Sequence, residues 1–284
     1  MLLNNPMGIQ WSCRARSENI KSVVSAGTIN TTRRETGENG PIAESGAKRS
    51  ELFYGLEVEQ IPKKLRFYYN KVAAGSQHEV KEIVLRLFSL GESGVKCLNR
   101  LLPLYAHVTG LTLWKVGLNL ETVRDLTESL VLVTGLQTLG LEGNDLNDES
   151  LLCLSRSFKL MNNLKELWLS SNQFTDVGTF VLGNSLRDLP KLAVLNLDYN
   201  FLRSEGCRIL CRALVPRARL RVVSLKANEI GPDAIEELET LGSSNPPVET
   251  LDLEANLLTE VNCTLLSTLY GAEIVRLSNQ TPPN

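Results

Sequence analysis

The chain has 284 residues, with 30 Lys and Arg against 32 Asp and Glu, a near balance that argues against general affinity for nucleic acid or membrane surfaces. No window approaches the roughly 18 consecutive apolar residues of a membrane span. The opening MLLNNPMGIQW also lacks the basic stretch and sustained apolar run of a secretory signal, so neither membrane insertion nor secretion is expected.

Residues 1–50 are rich in Ser, Thr, Asn, Gly and charge, with scattered apolar residues, and read as an extended polar tail without its own core. Arg14, Arg16, Lys21, Arg33, Arg34, Lys48 and Arg49 face only Glu18, Glu35, Glu38 and Glu44, so the tail is basic and the remainder acidic. Its Arg and Ser content would suit a mitochondrial transit peptide, but Glu18 and the lack of an amphipathic arc count against one. Residues 51–79 gather Leu52, Phe53, Leu56, Val58, Ile61, Leu65, Phe67, Tyr68 and Tyr69 and are expected to form an N-terminal cap, helical after Pro62. The run Lys63-Lys64-Leu65-Arg66 beside aromatics admits an RNA contact. RNA-binding modules need a stacking platform that this stretch lacks, so a cap with a solvated basic edge is the stronger reading.

From residue 80 the chain repeats. LQTLGLEGNDL at 136–146 sets the frame: apolar at the first, fourth, sixth and eleventh positions, with Asn at the ninth. The same frame returns every 28 residues, in units starting at Val80, Val108, Leu136, Leu164, Leu192, Leu220 and Val248. The first two units carry Phe88 and Val116 in place of the Asn. Apolar residues at the fourth and sixth positions are the alternation of a short strand. The nineteenth position is Leu98, Leu126, Leu154, Leu182, Leu210, Leu238 and Leu266. Apolar residues three before and four after this column give one face of a helix. Each unit therefore reads strand, turn, helix, return loop. The unit from Leu220 ends in SSNPP at 243–247, where the helix must stop early. The unit from Val248 is cut to 24 residues, because AEIVRL opens a closing strand at Ala272 that ends near Leu277.

One unit cannot bury both of its apolar faces, but stacked units share a continuous core. A buried Leu or Ile contributes roughly 1.5–3 kcal/mol, and backbone ordering costs a similar total per unit, so stability must reside in the interfaces between neighbours. The column Asn144, Asn172, Asn200, Asn228 and Asn256 fits this logic: where the strand leaves its ladder, an amide both donates and accepts. Of six Cys, five lie on the helical halves, and Cys207 and Cys263 occupy an apolar column. Cys207 and Cys211 are one helical turn apart, a spacing open to a metal or redox pair, but no third ligand is near in sequence. Reduced intracellular thiols are the better reading.

On these residues the chain resembles a leucine-rich repeat protein of the ribonuclease-inhibitor-like class, which also tends to have the Gly found at Gly94, Gly178 and Gly206. The resemblance implies an α/β, right-handed solenoid over residues 80–284, with parallel strands on the concave face and helices on the convex face. It says little of function.

Only two His exist, His78 and His107, without Cys, Ser or Asp partners at triad-like or metal-like spacing, and no Gly-rich phosphate loop is present. No enzyme, cofactor or metal site is indicated. The third, fifth, seventh and eighth positions are expected to face the concave side or its edge. They include the candidate partner-binding residues Trp114, Lys115, Glu142, Trp168, Asp198, Tyr199, Lys226, Asp252 and Glu254. Trp114, Trp168 and Tyr199 would be exposed aromatics, with open space beside Trp168 at Gly140, and exposed aromatics among charges are what interface anchors look like. Each ring could equally lie flat over neighbouring strands. The favoured reading is a non-enzymatic, cytoplasmic protein–protein scaffold within a multi-subunit assembly, such as an axonemal or organellar complex. The alternatives are a regulator of an enzyme, as in the similar folds of ribonuclease inhibitors and the Ran GTPase activator, and an RNA-binding adaptor. The chain lacks the inhibitors' Cys density and the activator's long acidic tail.

Overall fold

A computed structural model describes residues 61–216, 219–243 and 248–281. The proposed tail and its boundary with the cap lie outside these residues. The elements run α1 (Lys63–Ala73), β1 (Glu82–Arg86), α2 (Gly91–Leu101), β2 (Gly110–Trp114), α3 (Leu120–Leu130), β3 (Thr138–Gly140) and α4 (Asp148–Phe158). They continue as β4 (Glu166–Trp168), α5 (Asp176–Ser185), β5 (Val194–Asn196), α6 (Arg203–Leu214), β6 (Val222–Ser224), α7 (Ile235–Gly242), β7 (Thr250–Asp252), α8 (Glu260–Tyr270) and β8 (Val275–Arg276).

All eight strands form one parallel sheet in sequence order, as expected of a right-handed leucine-rich repeat solenoid with strands concave and helices convex. The register equals the repeat length. Leu111 pairs with Leu139, Leu139 with Leu167, Leu167 with Leu195, and Leu195 with Val223. At the last junction Leu251 pairs with Val275, the 24-residue step of the shortened unit. Stacking like on like buries the fourth-position column (Ile83, Leu111, Leu139, Leu167, Leu195, Val223, Leu251) and the sixth-position column (Leu85, Leu113, Leu141, Leu169, Leu197, Leu225, Leu253).

The Asn column is the other continuous feature. In Asn200, Nδ2 donates to the carbonyls of Leu169 (3.1 Å), Leu197 (2.9 Å) and Asp198 (3.2 Å), and Oδ1 accepts from Phe174 N (3.1 Å). Asn144, Asn172, Asn228 and Asn256 repeat this pattern and are buried. The ladder has one more rung than the Asn column. Gln280 stands at the ninth position of the closing strand's frame, accepts from Leu258 N (3.1 Å) and donates to Leu253 O (2.7 Å) and Leu277 O (3.2 Å). A longer amide reaches the same groups where the unit is four residues short.

Helix starts follow a second column, at the twelfth position. Asn119 and Asn147 cap α3 and α4 in reciprocal boxes with Thr122 and Ser150, and Thr259 does so with Asn262. Thr175 caps α5, and its hydroxyl also donates to Asp148 Oδ2 (2.6 Å). That contact explains Gly178, where a Cβ would lie 2.3 Å from Asp148 Oδ1.

The cap is helical after Pro62, as expected, and closes the free edge of β1. The Tyr68 hydroxyl accepts from Val84 N (2.9 Å) and faces Val84 O, while Lys64 donates to Arg86 O and lies over the Phe88 ring. Tyr69 donates to Cys97 O (3.0 Å) and Tyr105 to Tyr68 O (2.7 Å). Arg66 donates to Ile61 O, so much of the basic run at 63–66 is occupied within the cap. His107 sits between Gln77 O and Val80 O, a structural tie. At the far end Gly242 leaves room for Tyr270, whose ring would meet a Cβ there at 2.7 Å and whose hydroxyl donates to Leu238 O. Cys207 and Cys211 face each other at 3.9 Å inside the helical core, and their mutual contact together with burial holds the Cys207 thiol well above its ordinary range.

Candidate functional site

The fifth and seventh positions of each unit bracket the buried sixth-position Leu. The eighth position does something the sequence did not announce. Leu87, Lys115, Gly143, Ser171, Tyr199, Ala227, Ala255 and Asn279 all take positive φ between 49° and 66°. This left-handed residue swings the chain out of the strand so that the ninth-position amide can turn inward. Only Gly143 and Asn279 are residue types that favour the conformation; the others bear its cost of roughly 1–2 kcal/mol. A column of mixed composition carries no sequence signal for that geometry.

The candidate residues divide into two groups. In the C-terminal group the polar atoms are matched internally. Asp198 accepts from Ser224 Oγ (2.6 Å), Lys226 N (2.9 Å) and Asn196 Nδ2 (2.9 Å), although burial still raises its carboxyl above the ordinary range. Lys226 pairs with Glu254 at 2.7 Å, Ser278 donates to Glu254 at 2.7 Å, and Arg276 approaches Asp252 at 3.5 Å. Asp252, a candidate partner-binding residue, is buried. Tyr199 alone in this group is as open as expected, at 53%.

The N-terminal group is different. Gly140 ends β3 and Glu142 follows it two residues on; Trp114 lies on β2 and Trp168 on β4, with Gly140 paired to Trp168. Both indoles are half-buried rather than exposed. Trp168 Nε1 donates to Glu166 at 3.2 Å, and Lys115 stands 5.6 Å from the Trp114 ring. The open space expected at Gly140 is taken: Glu142 folds back so that its Oε2 would lie 2.6 Å from a Cβ there. That oxygen is buried without a hydrogen-bond partner among the described residues. Burial raises the Glu142 carboxyl above its ordinary range, opposed by its own backbone N–H and by Arg86. Arg86 is exposed and forms no ion pair among the described residues. Lys115 lies along Gly143, where its Cγ would be 2.5 Å from a Cβ. This patch therefore combines two half-open indoles, two cations and one unsatisfied carboxylate oxygen around two glycines.

Among the described residues no group of His, Cys, Asp and Glu could hold a metal ion, and no helix is long and apolar enough to cross a membrane. A cavity of about 230 Å³ lies elsewhere, among Leu186, Leu189, Leu214 and Leu220 between the return loops, and brings together none of the candidate residues.

No protein-family model and no curated protein matches the chain. Among solved structures it is similar to the leucine-rich repeat ectodomain of the Arabidopsis thaliana receptor kinase GASSHO1/SCHENGEN3, at 15% identity and a TM-score of 0.34, covering 75% of this chain and 32% of that one. It thus spans about a third of that ectodomain. An internalin of Listeria monocytogenes gives 16% identity and a TM-score of 0.36 over 74% of this chain and 70% of that one. A chain from the octameric complex of latrophilin 3, Unc5D and the leucine-rich repeat protein FLRT2 gives 12% and 0.33, covering 70% and 69%. Likenesses this distant add nothing to what the molecule's own geometry establishes. With its 28-residue parallel register, buried Leu columns and amide ladder, the chain has the fold of a leucine-rich repeat solenoid.

Proposed function

We propose that the chain is a non-enzymatic protein-interaction module, and that a partner binds the concave face around Trp114, Lys115, Glu142 and Trp168. The observation that carries this reading is the contrast between the two halves of that face. The C-terminal charges satisfy one another, whereas the N-terminal patch keeps half-open indole surface, an exposed Arg86 that forms no ion pair among the described residues, and a carboxylate oxygen without a hydrogen-bond partner. Desolvated aromatics beside polar groups awaiting partners are the usual composition of interface hot spots. Asp198, Tyr199, Lys226, Asp252 and Glu254 then form a polar rim in which only Tyr199 offers substantial apolar area.

The finer reading is a cytoplasmic scaffold subunit of a larger assembly. Four of the five cysteines among the described residues are buried in the helical halves, which is compatible with a reducing compartment. The test is quantitative affinity purification from the native cell with wild-type protein, a Trp114→Ala/Trp168→Ala variant, and a chain beginning at Glu51. A stoichiometric partner lost only with the Trp pair supports the concave site. A partner lost only with residues 1–50 transfers recognition to the tail, and retention in both variants refutes the proposal. A change in GTPase or ribonuclease rate on adding the purified protein would favour the enzyme-regulator alternative instead.

A further inference from the structure

Between Lys226 and Arg276 the sequence contains ten acidic residues and no Lys or Arg. Five of the ten are matched by cations from outside that window: Glu229 by Arg203, Glu237 by Arg208 and Arg212, Glu249 by Arg221, Asp252 by Arg276 and Glu254 by Lys226. Asp233, Glu236, Glu239, Glu260 and Glu273 form no ion pair among the described residues. Three of these five belong to α7 or the turn that leads into it.

Successive helices on the convex side meet through repeating positions. At the α6–α7 junction, Arg208 and Arg212, at the seventeenth and twenty-first positions of their unit, both reach Glu237, at the eighteenth of the next. One unit later the same positions are Glu236 and Thr240 on α7, and Leu265 on α8. The cationic pair has become an acid and a hydroxyl, and the carboxylate they embraced has become an aliphatic side chain. Leu265 is 41% exposed, and with Val261 (75%) and Leu269 (41%) it forms a stripe along α8 at four-residue spacing. Helix α7 has only eight residues, too few to cover that stripe.

We propose that the α7–α8 groove docks a basic amphipathic helix from a partner protein, whose aliphatic face lies on Val261, Leu265 and Leu269 and whose Lys or Arg side chains pair with Glu236 and Glu239. One wall of the groove is apolar and the other is acidic, and a single occupant of this chemistry satisfies both. A second copy of this chain would bring like charge against like, which disfavours self-association through the same face. This surface lies on the convex side and is independent of the concave patch.

The probe is a fluorescent synthetic helix with Leu on one face and Lys on its flanks, with an isomer carrying Glu for Lys as control, titrated into the full-length protein by anisotropy. The Lys peptide is expected to bind, and the Glu peptide not. Leu265→Ser should weaken binding about tenfold or more, the loss expected for one buried leucine contact. Glu236→Lys, at an exposed position that forms no ion pair among the described residues, should abolish binding, with the thermal midpoint measured alongside to guard against simple misfolding. Added salt should weaken the wild-type complex. Equal binding by wild type and Leu265→Ser, or a loss caused only by Trp114→Ala, would overturn the proposal, as would a concentration-dependent dimer that Leu265→Ser dissolves.

Discussion

Asn200→Ala tests the amide ladder most directly. The substitution removes the acceptor of the buried Phe174 N–H and the donor shared by three carbonyls, and no water-filled space is at hand, since Asn200 is 3% exposed. An unsatisfied buried donor costs roughly 1–3 kcal/mol, and the under-satisfied carbonyls add less, since each retains a second lone pair. The expected loss is about 2–4 kcal/mol. Because a central unit of a stacked array supports both flanking interfaces, the unfolding transition should also broaden as the two halves lose cooperativity. Urea unfolding followed by circular dichroism measures both quantities. Asn200→Asp should be at least as damaging at neutral pH: it keeps the acceptor but turns a carboxylate toward three carbonyl oxygens. Gln280→Ala supplies the internal comparison. It removes the same kinds of bond at a half-exposed terminal rung, and should cost about 1 kcal/mol, leaving the transition sharp. If Asn200→Ala cost no more than Gln280→Ala, the ladder would be decoration on a structure held by its leucines, and the reasoning would fail.

Ala227 sits at φ 52°, so Ala227→Gly should stabilise the protein by about 0.5–1 kcal/mol, read as a rise in the urea midpoint. Tyr68→Phe frees Val84 N and O at the sheet edge and should cost about 1–2 kcal/mol, with faster amide exchange at Val84. Burial raises the Glu142 carboxyl, so the folded protein holds that proton to higher pH than the unfolded chain does. Its contribution to stability therefore falls as pH rises from the ordinary carboxylate value through the folded one. Glu142→Gln should flatten that decline, gaining on wild type at neutral pH and not at low pH; a parallel pair of stability–pH curves would contradict the burial argument.

The repeat was legible because parallel stacking makes the sheet register equal to the repeat length. Residues that share a column, such as Leu139, Leu167 and Leu195, share one environment and so converge on one type. The Asn column was legible for the same reason, as was the shortened last unit, whose pattern simply restarts four residues early at Ala272. Gln280 escaped notice because a single residue of a different type makes no column.

The surface was legible only as a set of candidates. Counting positions placed Trp114, Trp168 and Asp252 on the outward side, but how much of each remains exposed depends on side chains one unit away. Glu142 folds back because its own unit has Gly140 two residues earlier, and Lys115 lies flat because the next unit has Gly143. Leu265 stands open on α8, where its unit is preceded by Glu236 and Thr240 at the positions that hold Arg208 and Arg212 one unit earlier. Local periodicity decides which face of an element is buried, since that follows from backbone geometry alone. Which polar atoms find partners is decided by groups some 28 residues apart that only the stacked tertiary structure brings within hydrogen-bond reach.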